Sequence, residues 1–152
     1  MKDNSRIVKA TSENLDFVNL IRALDESLWE RYPELKSDYW GNNILELNPN
    51  VVILYLDEKA VGCGCFKKYE KDTIEIKRMF VSPEARGMGL AQTILQELER
   101  WAKDLGYSFS VLETLYKQKE AIALYQKTGY NIVDNYEPYV GLENSICMRK
   151  PI

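Results

Sequence analysis

The run Arg86-Gly87-Met88-Gly89-Leu90-Ala91 has the residue types needed to hold a phosphate. Small residues at 87, 89 and 91 leave backbone N–H groups uncovered where a periodic helix begins, and the first N–H groups of a helix have no partner inside it. Those donors lie at the positive end of the helix dipole, beside the cationic Arg86, an arrangement suited to a phosphate or pyrophosphate. The competing reading of the same six residues is a strand-to-helix turn whose glycines serve steric ends. Two other phosphate motifs are excluded. A G-x-G-x-x-G fingerprint needs glycine at position 92, which is Gln92, and no G-x-x-x-x-G-K-[ST] run is present.

The elements that must position this loop can be read on either side of it. Upstream, Ile74, Ile76, Phe80 and Val81 belong to a strand over residues 73–81, stopped by Ser82-Pro83-Glu84 because proline donates no N–H to a ladder. Residues 51–56 and 60–66 are two further strands, and short polar turns join all three into an antiparallel meander. Downstream, Leu90, Ile94, Leu95, Leu98, Ala102 and Leu105 line one face of a helix ended by Gly106. Residues 108–114 return as a strand, so strand, helix and strand should form a right-handed parallel crossover. A helix over 121–127 ends at Gly129, and 130–133 and 145–148 are closing strands. At the start, residues 6–10 form a strand, and Thr11 or Ser12 caps a helix carrying Leu15, Val18, Ile21, Leu24 and Leu28 as far as Tyr32-Pro33. A second helical stretch covers 37–47. Trp29, Tyr32, Tyr39 and Trp40 either wall a pocket or pack these two helices together.

The 152 residues suit one domain spanning 1–152, with 45% hydrophobic and 28% charged residues. A net charge of −3 argues against a nucleic-acid partner bound through a basic face. The N-terminus lacks the apolar stretch of a signal peptide and no run approaches membrane-spanning length, so a cytoplasmic protein without a membrane partner is expected. Cys63, Cys65 and Cys147 read as buried reduced thiols. With no histidine in the chain they make a poor zinc set, and no metal is expected. The absence of histidine also excludes hydrolases that rely on a His partner.

Arg86-x-x-Gly89-x-Ala91 resembles the pyrophosphate loop of the GNAT superfamily of N-acetyltransferases. A second segment, Ala121-Ile122-Ala123-Leu124-Tyr125-Gln126-Lys127-Thr128-Gly129-Tyr130, is similar to that family's A-x-x-L-Y-x-x-x-G-F/Y run, at the expected distance. The element order matches over nearly the whole chain. The resemblance implies an α+β fold: a central mixed, mostly antiparallel sheet of six to seven strands flanked by about four helices. It implies acetyl-CoA as co-substrate, a prokaryotic-type member, and a fold in which a homodimer is unsurprising. Under it Arg86, Gly87, Met88, Gly89, Leu90 and Ala91 hold the pyrophosphate, and the pantetheine arm pairs with backbone at Met79, Phe80 and Val81, where the strand diverges from the one at 108–114. One of those N–H groups would then polarise the thioester carbonyl. Gln118 stands where many members carry asparagine, and Leu115-Tyr116-Lys117 is bulkier than the family pattern.

Acetyl transfer to an amine raises two proton problems. A lysine-like amine has a reference pKa near 10.4, so freeing it at pH 7 costs roughly 4.6 kcal/mol. The departing thiolate needs a donor as well. The resemblance puts Tyr125 beside the thioester sulfur, and a phenol is protonated at pH 7. It also puts Glu75, eleven positions before Arg86, where the histone-acetyltransferase branch has its base. Neighbouring Lys77 would favour the ionised form, and strand alternation points both away from Ile74 and Ile76. Glu113 is the rival base, and ordered water alone is a third option. The expected function is therefore transfer from acetyl-CoA to a primary amine within a ternary complex. A domain that binds acetyl-CoA without turnover is the alternative. The acceptor pocket is expected between the first two helices and the loop at 136–142.

Overall fold

The computed structural model describes residues 4–35 and 47–152. Its strands are β1 (Ser5–Ala10), β2 (Val51–Leu56), β3 (Lys59–Glu70), β4 (Thr73–Val81), β5 (Phe109–Leu115), β6 (Asn131–Val133) and β7 (Ser145–Pro151). The α-helices among the described residues are α1 (Leu15–Arg31), α2 (Leu90–Asp104) and α3 (Lys119–Lys127). The strands are hydrogen-bonded in the order β1-β2-β3-β4-β5-β7-β6. The expected mixed, mostly antiparallel α+β fold is therefore present. The helix expected over 37–47 lies, apart from Leu47, outside the described residues, as do Tyr39 and Trp40.

The chain divides into two compact units, one of Met1–Phe66 with Arg78–Leu98 and one of Lys67–Lys77 with Glu99–Ile152. In the first, β2 is a continuous apolar run with no exposed face, and Val51, Val52, Ile53 and Leu54 are fully buried. It pairs antiparallel with β1 on one side and β3 on the other. The β2–β3 hairpin turns on Asp57 and Glu58, both at positive φ, as a two-residue turn matched to strand twist requires. Phe17, Leu20 and Ile21 of α1 pack with Val51, Ile53, Tyr55, Cys63, Cys65 and Phe80. The cap of α1 is neither Thr11 nor Ser12. Asn14 caps it, accepting from the N–H groups of Asp16 and Phe17, while the Ser12 hydroxyl accepts from Asn48 N–H at 2.7 Å. On α1 Ile21 is buried as expected, but Leu15 is 72% exposed, and Phe17 and Leu20 are buried as well.

Gly62 and Gly64 of β3 let α2 approach the sheet closely. A Cβ on Gly64 would stand 2.8 Å from Leu98 Cδ1 and 3.1 Å from Ile94 Cγ2, and one on Gly62 would stand 2.8 Å from Ile94 Cδ1. Along α2 the expected face is buried at Leu90, Ile94, Leu95, Leu98 and Ala102. Leu105 is the exception, exposed because α2 stops at Asp104.

In the second unit β4 runs parallel to β5, from Thr73 opposite Phe109 to Ile76 opposite Leu112, as the crossover requires. β5 and β7 pair antiparallel along their length, with β6 outside β7. Beneath them lies a buried polar network. The Tyr130 hydroxyl donates to Glu99 at 2.8 Å and meets Ser110 Oγ at 2.8 Å, while Lys150 Nζ donates to the other Glu99 oxygen at 2.8 Å. Such groups are stable inside only when each has a partner, as these do.

Gly64→Val should therefore destabilise the fold by about 1–3 kcal/mol, because Leu98 and Ile94 are fully buried and have nowhere to move. Urea unfolding followed by circular dichroism reads this directly.

Candidate active site

In the first unit the loop expected to hold a phosphate is built as a pair of left-handed turns. A 3-10 turn at Pro83–Ala85 follows β4, and Gly87 and Gly89 then take φ of 81° and 76°. An added Cβ at either would touch nothing within 4 Å, so the backbone angle, not crowding, demands glycine there. That open space is what a cradle of bare amides requires. α2 begins at once, with Thr93 N–H bonding to Gly89 O at 3.2 Å. Arg86 is held in place from behind, its Nε donating to Val81 O at 2.9 Å and its guanidinium 5.9 Å from the Phe80 ring. Leu90 is buried under the loop, while Met88 and Ala91 are partly open.

Just before Met79, Phe80 and Val81 the strand is distorted. Arg78 has φ of 61°, a left-handed conformation that costs a non-glycine residue on the order of 1–3 kcal/mol. Its guanidinium is buried and pairs with Asp25 of α1 at 3.2 Å, and the Cys63 thiol donates to its carbonyl at 3.5 Å. These contacts hold the kink. A left-handed residue within a strand breaks the alternation of the peptide groups around it, beside the N–H groups proposed to face a thioester. Nothing in the run I-K-R-M-F marks Arg78 as special; the signal is conformational only.

In the second unit Glu75 is 2% exposed, so it is not a solvated strand-face carboxylate. The Tyr136 hydroxyl donates to it at 2.7 Å. The parallel register sets Glu75 opposite Val111, and the two-residue period of a strand brings Glu113, two further along β5, to the same face. Glu113 is partly open and accepts from Ser145 Oγ at 2.7 Å. Desolvation of its carboxyl, followed by repulsion from Glu75, pushes its pKa up to about 7 against the pull of Ser145 and Lys77. The Tyr69, Tyr136 and Tyr139 rings stack edge to face around this pair, with centroids 4.8 Å and 5.5 Å apart.

Tyr125 is buried on α3, its ring 5.9 Å from that of Tyr130. Burial, and then the charge of Glu113, raise its pKa well above the ordinary phenol value, so it stays protonated at neutral pH. Gln118 precedes α3, and its carbonyl oxygen accepts from Thr114 Oγ1 at 3.0 Å. Cys63, Cys65 and Cys147 are buried and none of them is in a disulfide. Among the described residues no group of three or more acidic or thiol side chains could ligate a metal, and no helix is long and apolar enough to cross a membrane. From the aromatic group near α1, Trp29 keeps a buried indole N–H without a partner among the described residues. Sequence reasoning named Glu75, Glu113 and the 136–142 loop but not the Tyr136 contact, which joins residues 61 positions apart.

Comparison with known proteins is consistent across three routes. A family model described as the acetyltransferase (GNAT) family matches residues 18–130. A protein named IAA acetyltransferase from Azospirillum brasilense is 34% identical over 142 residues, covering 89% of this chain and 90% of that protein. An uncharacterised Escherichia coli N-acetyltransferase, YjgM, is 32% identical over 113 residues, covering 73% of this chain and 60% of the other. Among solved structures, a Klebsiella pneumoniae protein described as a candidate acyl-CoA N-acyltransferase superposes with a TM-score of 0.80 at 30% identity, covering 97% of each chain. The PaiA N-acetyltransferase of Thermoplasma acidophilum, solved with coenzyme A, shares the fold at a TM-score of 0.74 and 19% identity, with both chains fully covered.

The raised Glu113 pKa has a consequence for stability. Between about pH 4.5 and about pH 7 the folded chain holds a proton on Glu113 that the unfolded chain has already lost, so stability falls as pH rises through that window. Glu113→Gln should remove a swing on the order of 1–3 kcal/mol, allowing for solvent screening. Unfolding of both proteins at pH 5 and pH 8 checks this; equal slopes would refute it.

Proposed function

We propose that this chain, which belongs to the acetyltransferase (GNAT) family, moves the acetyl group of acetyl-CoA directly to a primary amine of an acceptor, with residues 1–152 acting as one domain. It is an acetyl-CoA-dependent acyltransferase; the amine class, the ternary complex and the residue roles are our reading. The observation that supports it is the open glycine loop at the mouth of α2, with Gly87 and Gly89 at positive φ and nothing within 4 Å of an added Cβ.

In this reading the amides of Gly87, Met88, Gly89, Leu90 and Ala91, with Arg86, hold the pyrophosphate. The backbone of Met79, Phe80 and Val81 pairs with the pantetheine arm and polarises the thioester carbonyl. A carboxylate accepts the proton of the acceptor ammonium. Glu75 and Glu113 both remain candidates on position, and access favours Glu113, because Glu75 is enclosed and already occupied by Tyr136. The neutral amine attacks the carbonyl carbon and the C–N bond forms. The C–S bond then breaks, the Tyr125 hydroxyl donates its proton to the departing thiolate, and the second proton, lost from nitrogen as the amide forms, returns through solvent to the Tyr125 oxygen. Two buried or half-buried carboxylates ringed by tyrosines suit a cationic acceptor, since ring faces and carboxylates both attract an ammonium.

Acetyl-CoA should raise the melting temperature and NAD should leave it unchanged, as measured by scanning fluorimetry. Release of free thiol that depends on added amine, followed with a thiol-reactive dye across an amine panel, tests turnover, and its absence would favour a binding module. Tyr125→Phe should slow that release about 10²–10⁴-fold with cofactor affinity retained. An unchanged rate removes Tyr125 from the mechanism.

A further inference from the structure

We propose that Tyr136 is a positioning residue: by donating its hydroxyl to Glu75 it holds that carboxylate in place on the face it shares with Glu113, the carboxyl that takes up and releases the proton. The purpose of the device rests on the acetyl-transfer reading, but the geometry does not.

The hydroxyl is well placed and well held. It reaches Glu75 Oε2 at 2.7 Å from the loop that follows β6. The ring is clamped edge to face by Tyr69 on one side and Tyr139 on the other, so its rotamer is set by packing rather than by the hydrogen bond alone. Burial, and then the charge of Glu75, drive the Tyr136 phenol far above its ordinary pKa, so it remains a donor throughout the working range. Glu113 has a donor too, the Ser145 hydroxyl at 2.7 Å. The two donors are unequal. A phenol is the stronger acid and therefore gives the stronger hydrogen bond to a carboxylate, and a hydrogen bond to the charged form favours that form. When two carboxylates share one face and only one can readily carry charge, that difference decides which keeps it.

The other groups facing Glu113 do not reverse this ranking. From β7 come Ser145 and Cys147, whose thiol is pushed up to about 11 by burial and stays neutral. From β4 come Glu75 and Lys77, from α3 the protonated Tyr125, and from the 136–142 loop the protonated Tyr139, which feels Glu75 before Glu113 and adds a second, lesser phenol contact to Glu75 beside that of Tyr136. Lys77 is the cation of this set and stabilises the charged form of Glu113, while Glu75 opposes it. Removing the Tyr136 hydroxyl frees the Glu75 side chain from its position, which should weaken the repulsion felt at Glu113 and make Glu113 more acidic.

The test is a carbon-13 NMR titration of glutamate side-chain carboxyls from pH 4 to 9, on full-length protein without cofactor or acceptor, with Glu75→Gln and Glu113→Gln giving the assignments. In the native chain Glu113 should titrate near 7. Tyr136→Phe should lower that midpoint by about one unit or more. Ser145→Ala, which removes the weaker donor from Glu113 itself, should move it the other way. Glu75→Gln should also lower it, and gives a second reading should Tyr136→Phe fail to fold. A Glu113 midpoint that stays put in Tyr136→Phe, or in Glu75→Gln, overturns the proposal. Because no acetyl transfer is measured, an inert enzyme with the expected shifts would sink the functional reading and keep this one, while an active enzyme with unmoved midpoints would do the reverse.

Discussion

The four-residue parallel pairing of β4 with β5 is the constraint from which the chemistry of the second unit follows. It puts Glu75 opposite Val111 and so commits Glu113 to the same face. A slip of one residue would send Glu113 to the opposite face, because side chains alternate along a strand. Parallel neighbours demand a crossover, and here the crossover is α2, the helix whose first turn carries the glycine loop. One topological requirement therefore accounts for both the paired carboxylates and the existence of a helix mouth just after β4.

Proton handling in this molecule depends on burial more than on residue type. Glu58 and Tyr116, by contrast, lie exposed. Enclosed in the second unit, Tyr125 is held as an acid and Glu113 is brought close to neutrality. Both shifts come first from desolvation and only then from neighbours, so the proton transfers proposed for them near pH 7 would need no histidine.

Much of this was legible in the sequence, for reasons that differ by residue. The apolar run of β2 and the periodic face of α2 are dense, repeated signals, and both became the elements they predicted. Gly87 and Gly89 are legible because few residues can take their backbone angles. Local choices among similar residues were not. Asn14, Ser12 and Thr11 are all competent caps, and only the contact of Ser12 with Asn48, across 36 positions, decides in favour of Asn14. Leu15 is exposed for a separate reason, since packing against the sheet selects Phe17, Leu20 and Ile21. Arg78 was invisible because its strain is set by Asp25 and Cys63, which are remote in sequence. The alternating glycines of G-C-G-C did carry a readable signal: glycine inside a strand marks close backbone approach, and here the close neighbour is α2.

That close approach also bears on the loop. With only hydrogens on Gly62 and Gly64 between Ile94, Leu98 and the backbone of β3, the first half of α2 has no flexible padding on which to slide or tilt. Its opening amides are consequently preorganised: their direction is set when the chain folds rather than when an anion arrives. Little ordering entropy would then be left for the pyrophosphate proposed to bind there to lose, and more of each hydrogen bond would appear as affinity.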